Sequence, residues 1–294
     1  MIPVNPKESM LTLNFAELSP QQVQLFLQYA VAPRPIAFVS TIDAGGHVNL
    51  SPFSFFNLFS SNPPILVFSP ARRVRNNTTK HTLDNVMQVK ECVINIVNYD
   101  MVQQTSLAST EYALGVNEFE KAGLTELPSE RVRPPRVKES PVQFECKVRE
   151  VISLGDTPGA GNLVIAEVLL MHISEAVLDA EGKIDQQKMD HVARLGGDWY
   201  SRVTPESLFK VAKPLTTLGI GVDALPEAIR LSAVLTGNNL GQLGNVEHLP
   251  ELTAEERAAL KQECTGLSIE EIHLKAKKLL DQGLVTEAWK LLLV

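Results

Sequence analysis

The chain has 294 residues, 44% hydrophobic and 21% charged, the balance of a globular protein with ample material for a large core. A formal net charge of -7 argues against general affinity for nucleic acid or anionic lipid, and it makes any local cluster of positive charge informative. Met1 to Asn14 shows neither a basic start with an apolar run nor a small-residue cleavage site, and no later run approaches membrane-spanning length, so a cytoplasmic protein is expected.

In chain order, Ser19-Pro20 reads as an N-cap followed by proline at the first helical position. Val23, Phe26, Leu27 and Ala30 follow with helical spacing, which predicts a short helix to about Ala30. Ile36 to Ile42 is β-branched and apolar, and Asp43-Ala44-Gly45-Gly46 turns the chain into His47 to Phe59, so a hairpin is predicted that ends at Pro63-Pro64. Ile65 to Phe68 and Cys92 to Val97 read as buried strands. Between them Leu83, Val86 and Met87 mark a helix starting near Thr78. Met101 to Ser109 also fits a helix, whereas Ala113 to Arg136, broken by glycine and prolines, reads as a long loop or irregular crossing. Val142, Phe144, Cys146 and Val148 alternate with polar residues, as do Val164, Ala166, Val168 and Leu170 beyond a glycine-rich turn, which predicts an antiparallel hairpin. Several strands around a few helices, without strand-helix-strand alternation, favour an antiparallel barrel over a doubly wound sheet. After about Lys213 the texture becomes helical. Thr253 with Glu256 and Ser268 with Glu271 match capping boxes, and Ile269, Ile272, Ala276, Leu279 and Leu280 form a helical stripe.

Three segments carry chemistry. Arg72 to Thr82 places four basic residues, with hydroxyls and amides, just before or within the first turn of a predicted helix. Free N–H groups, the helix dipole and cationic side chains suit a phosphate there, and a solvated basic loop with a plain N-cap accounts for the same residues. Ser51 to Ser60 mixes serines with four phenylalanines in one strand-like run. Such a mixture suits a flat, amphipathic aromatic ligand; on composition alone, a hairpin that packs its aromatics into the core explains it. In His191 to Tyr200, Gly196-Gly197 either brings the backbone close to a ligand or ends a helix, and taken alone it reads as helix termination. The three cysteines form no CxxC pair and the six histidines no HxxxH pair, so neither a disulfide framework nor a metal site is expected. No dinucleotide fingerprint or P-loop is present.

Taken together, Pro33 to Thr41, Asn49 to Asn57, Pro63-Pro64, Lys80 to Val86 and Arg194 to Gly197 occur in an order that resembles the flavin reductase-like family, which includes flavoredoxins. The resemblance implies a mainly β fold with helices, an antiparallel, Greek-key-like FMN-binding split β-barrel over residues 10–212, with a helical C-terminal extension over 213–294. It implies that Ser54, Phe55, Phe56 and Asn57 line the flavin, with Thr41 and Ser69 near it, and that Lys80, Thr82 and Arg72 hold the phosphate. Asn85, in the same signature, and Arg34 and Arg194 are further cofactor-binding candidates. His81 stands where the family commonly has an acidic residue. Members resemble one another in being dimers with flavin near the interface, so a homodimer is expected, without nucleic-acid or membrane partners.

The activity implied is hydride transfer from NADH or NADPH to FMN, with a small molecule or a protein as electron acceptor and no catalytic side chain. The alternative is a flavoredoxin-like FMN-binding electron carrier without NAD(P)H activity. A third, pyridoxamine phosphate oxidase-like reading is disfavoured by the serine- and phenylalanine-rich strand.

Overall fold

The computed structural model describes residues 10–294, so most of the N-terminal stretch read for a leader lies outside the described residues. They form two compact units, one spanning Thr12–Leu208 and one containing Phe209–Val294.

The first unit opens with helix α1, Pro20–Ala30, where Ser19 and Gln22 close a capping box. Strands β1 (Ala37–Ile42), β2 (Val48–Phe53), β3 (Phe56–Ser61) and β4 (Pro64–Phe68) precede helix α2, His81–Val89. Then come β5 (Glu91–Ile96), helices α3 (Val102–Leu107) and α4 (Glu118–Ala122), and the short strands β6 (Glu126–Leu127) and β7 (Arg136–Val137). The long hairpin β8 (Val142–Ser153) and β9 (Asn162–Ile173) and the small hairpin β10 (Val192–Arg194) and β11 (Tyr200–Arg202) complete the unit.

Seven strands form one antiparallel sheet in the order β2-β1-β5-β8-β9-β4-β3. Its edge strands β2 and β3 are consecutive in the chain, separated only by Ser54 and Phe55. Laid flat, six inter-strand gaps would put the edges about 29 Å apart. Three Cα steps, from Phe53 to Phe56, span at most about 11 Å. The sheet therefore curls until its edges approach, which makes it a barrel split along the β2–β3 line.

Ala37 and Val39 of β1 face an interior cluster with Phe53, Phe68, Ile94, Cys146 and Val164, and Leu83 and Val86 of α2 pack into it. Phe38, from the opposite side of β1, joins a second cluster with Leu50, Met101 of the turn before α3, and Phe119 of α4. Both faces of β1 are thus buried, as its unbroken apolar run requires.

Four expectations need correction. His47 to Phe59 is not one strand of a hairpin: β2 pairs with β1, and β3 pairs with β4 at the other edge. The helix starts at His81 rather than near Thr78, because Asn77, at φ 56°, and the turn around it occupy the preceding residues. The presumed loop from Ala113 contains α4, which buries Phe119 completely. Gly196-Gly197 ends no helix. It turns the β10–β11 hairpin, and a Cβ on Gly196 would lie 2.3 Å from the Tyr29 ring, so glycine is needed for α1 to approach.

The second unit holds helices α5 (Glu227–Arg230), α6 (Gly237–Gly244), α7 (Ala254–Glu263), α8 (Ile269–Asp281) and α9 (Val285–Leu292). The Thr253/Glu256 and Ser268/Glu271 capping boxes are formed. Its core gathers Leu243 of α6, Ala276 and Leu280 of α8 and Trp289 of α9.

Candidate functional site

The basic segment divides its labour. Arg72 donates through Nε to the Asn77 side chain, 2.7 Å, and through Nη2 to the Asn77 carbonyl, 2.6 Å, while its backbone pairs with Gly159 and Ala160 of the β8–β9 turn. Its guanidinium therefore fixes the loop. Arg73 instead lines a small cavity with Lys80, His81 and Thr82 at the start of α2, Asn49 and Ser51 of β2, Ser109 to Tyr112, and Glu118 of α4. The cavity has about 20 Å³ of free space between these side chains and opens to solvent. Arg73 Nη1 donates to Thr78 and Thr79, but its Nε is buried without a hydrogen-bond partner.

Lys80 is the N-cap residue of α2 and its side chain caps nothing, so it stays available to the cavity, with its ammonium 5.1 Å from the Phe53 ring centroid. Burial pushes its pKa below the usual lysine range, and the charge of Arg73 pushes the same way. The first N–H groups of α2 lack intrahelical acceptors and add partial positive charge at this end. Beneath the cations lies a buried polar layer. Asn49 Nδ2 donates to Thr82 Oγ1 at 2.9 Å, and Asn85 Nδ2 donates to Thr41 Oγ1 at 3.0 Å. Since Thr82 Oγ1 accepts from Asn49, its hydroxyl proton is left to donate elsewhere.

Two carboxylates border the cations. Glu118 is buried and accepts the Leu50 N–H at 2.8 Å; desolvation pushes its carboxyl above the usual carboxylate range, against that bond. Glu111 is half-exposed, with Oε1 3.2 Å from Arg73 Nε and Oε2 2.7 Å from Arg75.

The remaining expected residues form two further groups. Ser54, Phe55, Phe56 and Asn57 make the β2–β3 corner and the start of β3, where the Phe55 carbonyl accepts the Ser69 N–H at 2.8 Å. Phe55 is 43% exposed, Phe56 packs partly into the interior, and Ser69 Oγ accepts the Asn162 N–H at 3.1 Å. Arg34 is buried and donates to the carbonyls of Gln28, Val31 and Leu195, with Nε 3.5 Å from Ser54 Oγ. Arg194 pairs its backbone with Arg34 and stacks over the Tyr200 ring at 4.6 Å. Lys80 and Thr82 thus meet in one cavity with Thr41 and Asn85 beneath, the corner residues cluster along the split, and Arg34 and Arg194 tie the corner to β10.

Sequence reasoning left out Asn49, Ser51, Glu118 and the stretch from Ser109. The Asn49 to Asn57 signature contained the first two, whereas Glu118 reaches the site only through a helix that the surrounding polar residues concealed. A second, larger cleft of about 520 Å³ shares Ser109 with the cavity and is lined by α3 and the β10–β11 hairpin. In it Arg202 stacks over Tyr99 at 3.7 Å and is held by Asp190 at 2.7 Å.

An uncharacterized protein of Aquifex aeolicus is 39% identical over 181 residues, covering 62% of this chain and 90% of its own. Among solved structures, nitrilotriacetate monooxygenase component B from Bacillus cereus is 29% identical, with a TM-score of 0.65, covering 70% of this chain and 100% of its own. The 2-nitrobenzoate 2-nitroreductase of Pseudomonas fluorescens is 26% identical, with a TM-score of 0.61 and coverages of 71% and 100%. Residues 29–188 match the flavin reductase like domain, and with the split antiparallel barrel and these relatives the chain belongs to the flavin reductase-like family.

Proposed function

We propose that the protein binds FMN and is a flavin-dependent oxidoreductase that takes a hydride from NADH or NADPH and passes electrons to a small molecule or a protein. The observation that carries the reading is the cationic cavity at the start of α2. There Arg73 Nε is buried 3.2 Å from Glu111 Oε1 without forming a hydrogen bond to it, and Lys80 approaches with its charge only partly solvated. A phosphate supplies acceptors for both and for the first-turn N–H groups of α2. The residues therefore fit the phosphate end of FMN.

In this reading Lys80, Arg73 and Thr82 hold the phosphate, and Asn49 orients the Thr82 hydroxyl. Ser51 lies in the cavity and Ser54 three residues along the same edge, so the polar edge of a flavin can follow β2 towards the corner. Phe55 and Phe56 offer apolar surface there. FMN supplies the hydride-accepting ring, and the protein's part is binding, orientation and water exclusion rather than proton transfer by a side chain. The 520 Å³ cleft beside the cavity falls in the size range of small-molecule sites, and it is our candidate for the approach of the second substrate.

A homodimer belongs to the same proposal. Helix α1 buries no side chain and exposes Leu25, Phe26, Leu27 and Tyr29, while edge strand β3 exposes Leu58 and Phe59. Apolar side chains exposed on a helix and on an unpaired sheet edge suit association, and a second copy is the occupant proposed.

An anaerobic stopped-flow trace of the FMN-loaded protein, mixed with NADH and then with NADPH, tests the reaction. Bleaching of the visible flavin band by one donor is expected. Persistence of the band with both donors would leave an electron carrier in place of a reductase.

A further inference from the structure

The cavity at the start of α2 leaves little free space between its lining side chains. Its volume of about 20 Å³ holds roughly one water molecule. The cavity opens to solvent, and a phosphate seated against Arg73 competes with the carboxylate already paired to it. Asn49, Thr82 and Glu118 are buried and hydrogen-bonded to one another or to backbone, so none leaves without breaking the barrel's polar layer. Glu111 differs on each count. Its side chain is 51% exposed, it follows the end of α3 in an irregular segment, and its bonds run only to arginines of the basic loop.

Charge gives an independent argument for the same residue. Arg73 and Lys80 face Glu111 and Glu118 across the cavity, two cations against two carboxylates. A phosphate monoester adds roughly -1.5 to -2 at neutral pH. With both carboxylates in place the entering charge meets less attraction than the cations and the helix start would give without Glu111. With Glu111 swung out, Arg73 and Arg75 are released from it and Arg73 Nε becomes available to a phosphate oxygen.

We propose that Glu111 is a counter-ion latch: it occupies the anion site in the ligand-free protein, and the FMN phosphate displaces it from Arg73. The proposal rests on the flavin reading for the identity of the ligand but not for the existence of the latch. Glu111 lowers affinity for the phosphate-bearing ligand and leaves affinity for the bare isoalloxazine unchanged.

The test is fluorescence titration of wild type, Glu111→Gln and Glu111→Ala with FMN and with riboflavin, beside thermal stabilisation of each protein by inorganic phosphate. Removing a partly exposed ion-pair partner should tighten FMN binding by up to roughly five-fold. The alanine variant, which also clears space, should gain at least as much as the glutamine variant. Riboflavin affinity should be the same for all three proteins, and both variants should be stabilised more than wild type by phosphate. Unchanged or weaker FMN binding in both variants would overturn the latch and show Glu111 to be an orienting partner of Arg73, with the flavin reading intact. Failure of all three proteins to bind FMN, with enhanced phosphate stabilisation of the variants, would overturn the flavin reading and keep the latch. Equal stabilisation by phosphate in that case would remove both.

Discussion

Replacing Lys80 with alanine should weaken FMN binding by roughly 1.5 to 3 kcal/mol, the usual worth of a hydrogen bond to a charged group, or about 10- to 150-fold in Kd. The side chain stands at the N-cap of α2 without capping it, and burial holds its pKa below the lysine range. A cation kept partly desolvated at a helix start is poised for an anion, and binding one recovers part of the lost solvation. Riboflavin lacks the phosphate, so its affinity should hardly change. Parallel fluorescence titrations of the variant with the two ligands give the answer. Equal losses would indicate damage to the barrel, and no loss for FMN would move the phosphate contact to the arginines alone.

Trp289→Ala should destabilise the helical unit by about 3 to 5 kcal/mol, the range for a buried tryptophan truncated in a core. Trp289 is fully buried among Leu243, Ala276 and Leu280, and its Nε1–H donates to the Leu243 carbonyl at 3.0 Å. Truncation leaves a cavity and removes the donor from that carbonyl. Tryptophan occurs only twice in the chain, and Trp199 is 73% exposed. In a Trp199→Phe background, emission therefore reports the surroundings of Trp289 alone and follows unfolding of this unit in denaturant. Far-UV circular dichroism then compares the midpoint of Trp289→Ala with that of wild type. A shift worth under about 1 kcal/mol would mean that the site collapses around the smaller side chain.

Much of the fold was legible where one physical signal acted alone. Helix α1 announced itself through Ser19-Pro20 and its spaced apolar residues, and β8 and β9 through alternation, because each of those strands has one face in the core. The break at Ser54-Phe55 was not legible. Serines and phenylalanines on both sides of it suit a strand equally, and only closure of the sheet separates β2 from β3. Helix α4 was hidden for another reason: five residues give too short a window for helical periodicity, and the neighbouring glycines and prolines dominate the pattern.

The candidate site shows the same division. Lys80 and Thr82 could be placed from the basic segment and its resemblance, since they sit within one turn of a helix start. Sequence spacing cannot say which of Arg72 and Arg73 turns inward. That depends on Asn77, whose left-handed backbone brings its side chain and carbonyl onto Arg72 and leaves Arg73 to the cavity. Glu118 comes from the segment read as loop and Glu111 from between it and the helix predicted to Ser109, and their approach to Leu50 and Arg73 is a product of tertiary packing.

The central claim is that this cationic cavity and the β2–β3 corner together form an FMN site. Its most direct test is the visible absorbance spectrum of the purified protein titrated with FMN and passed through a desalting column. A flavin spectrum, shifted from that of free FMN, is expected to travel with the protein and to be lost when excess inorganic phosphate competes. Flavin that elutes entirely free, with no spectral shift and no thermal stabilisation at saturating FMN, would contradict it.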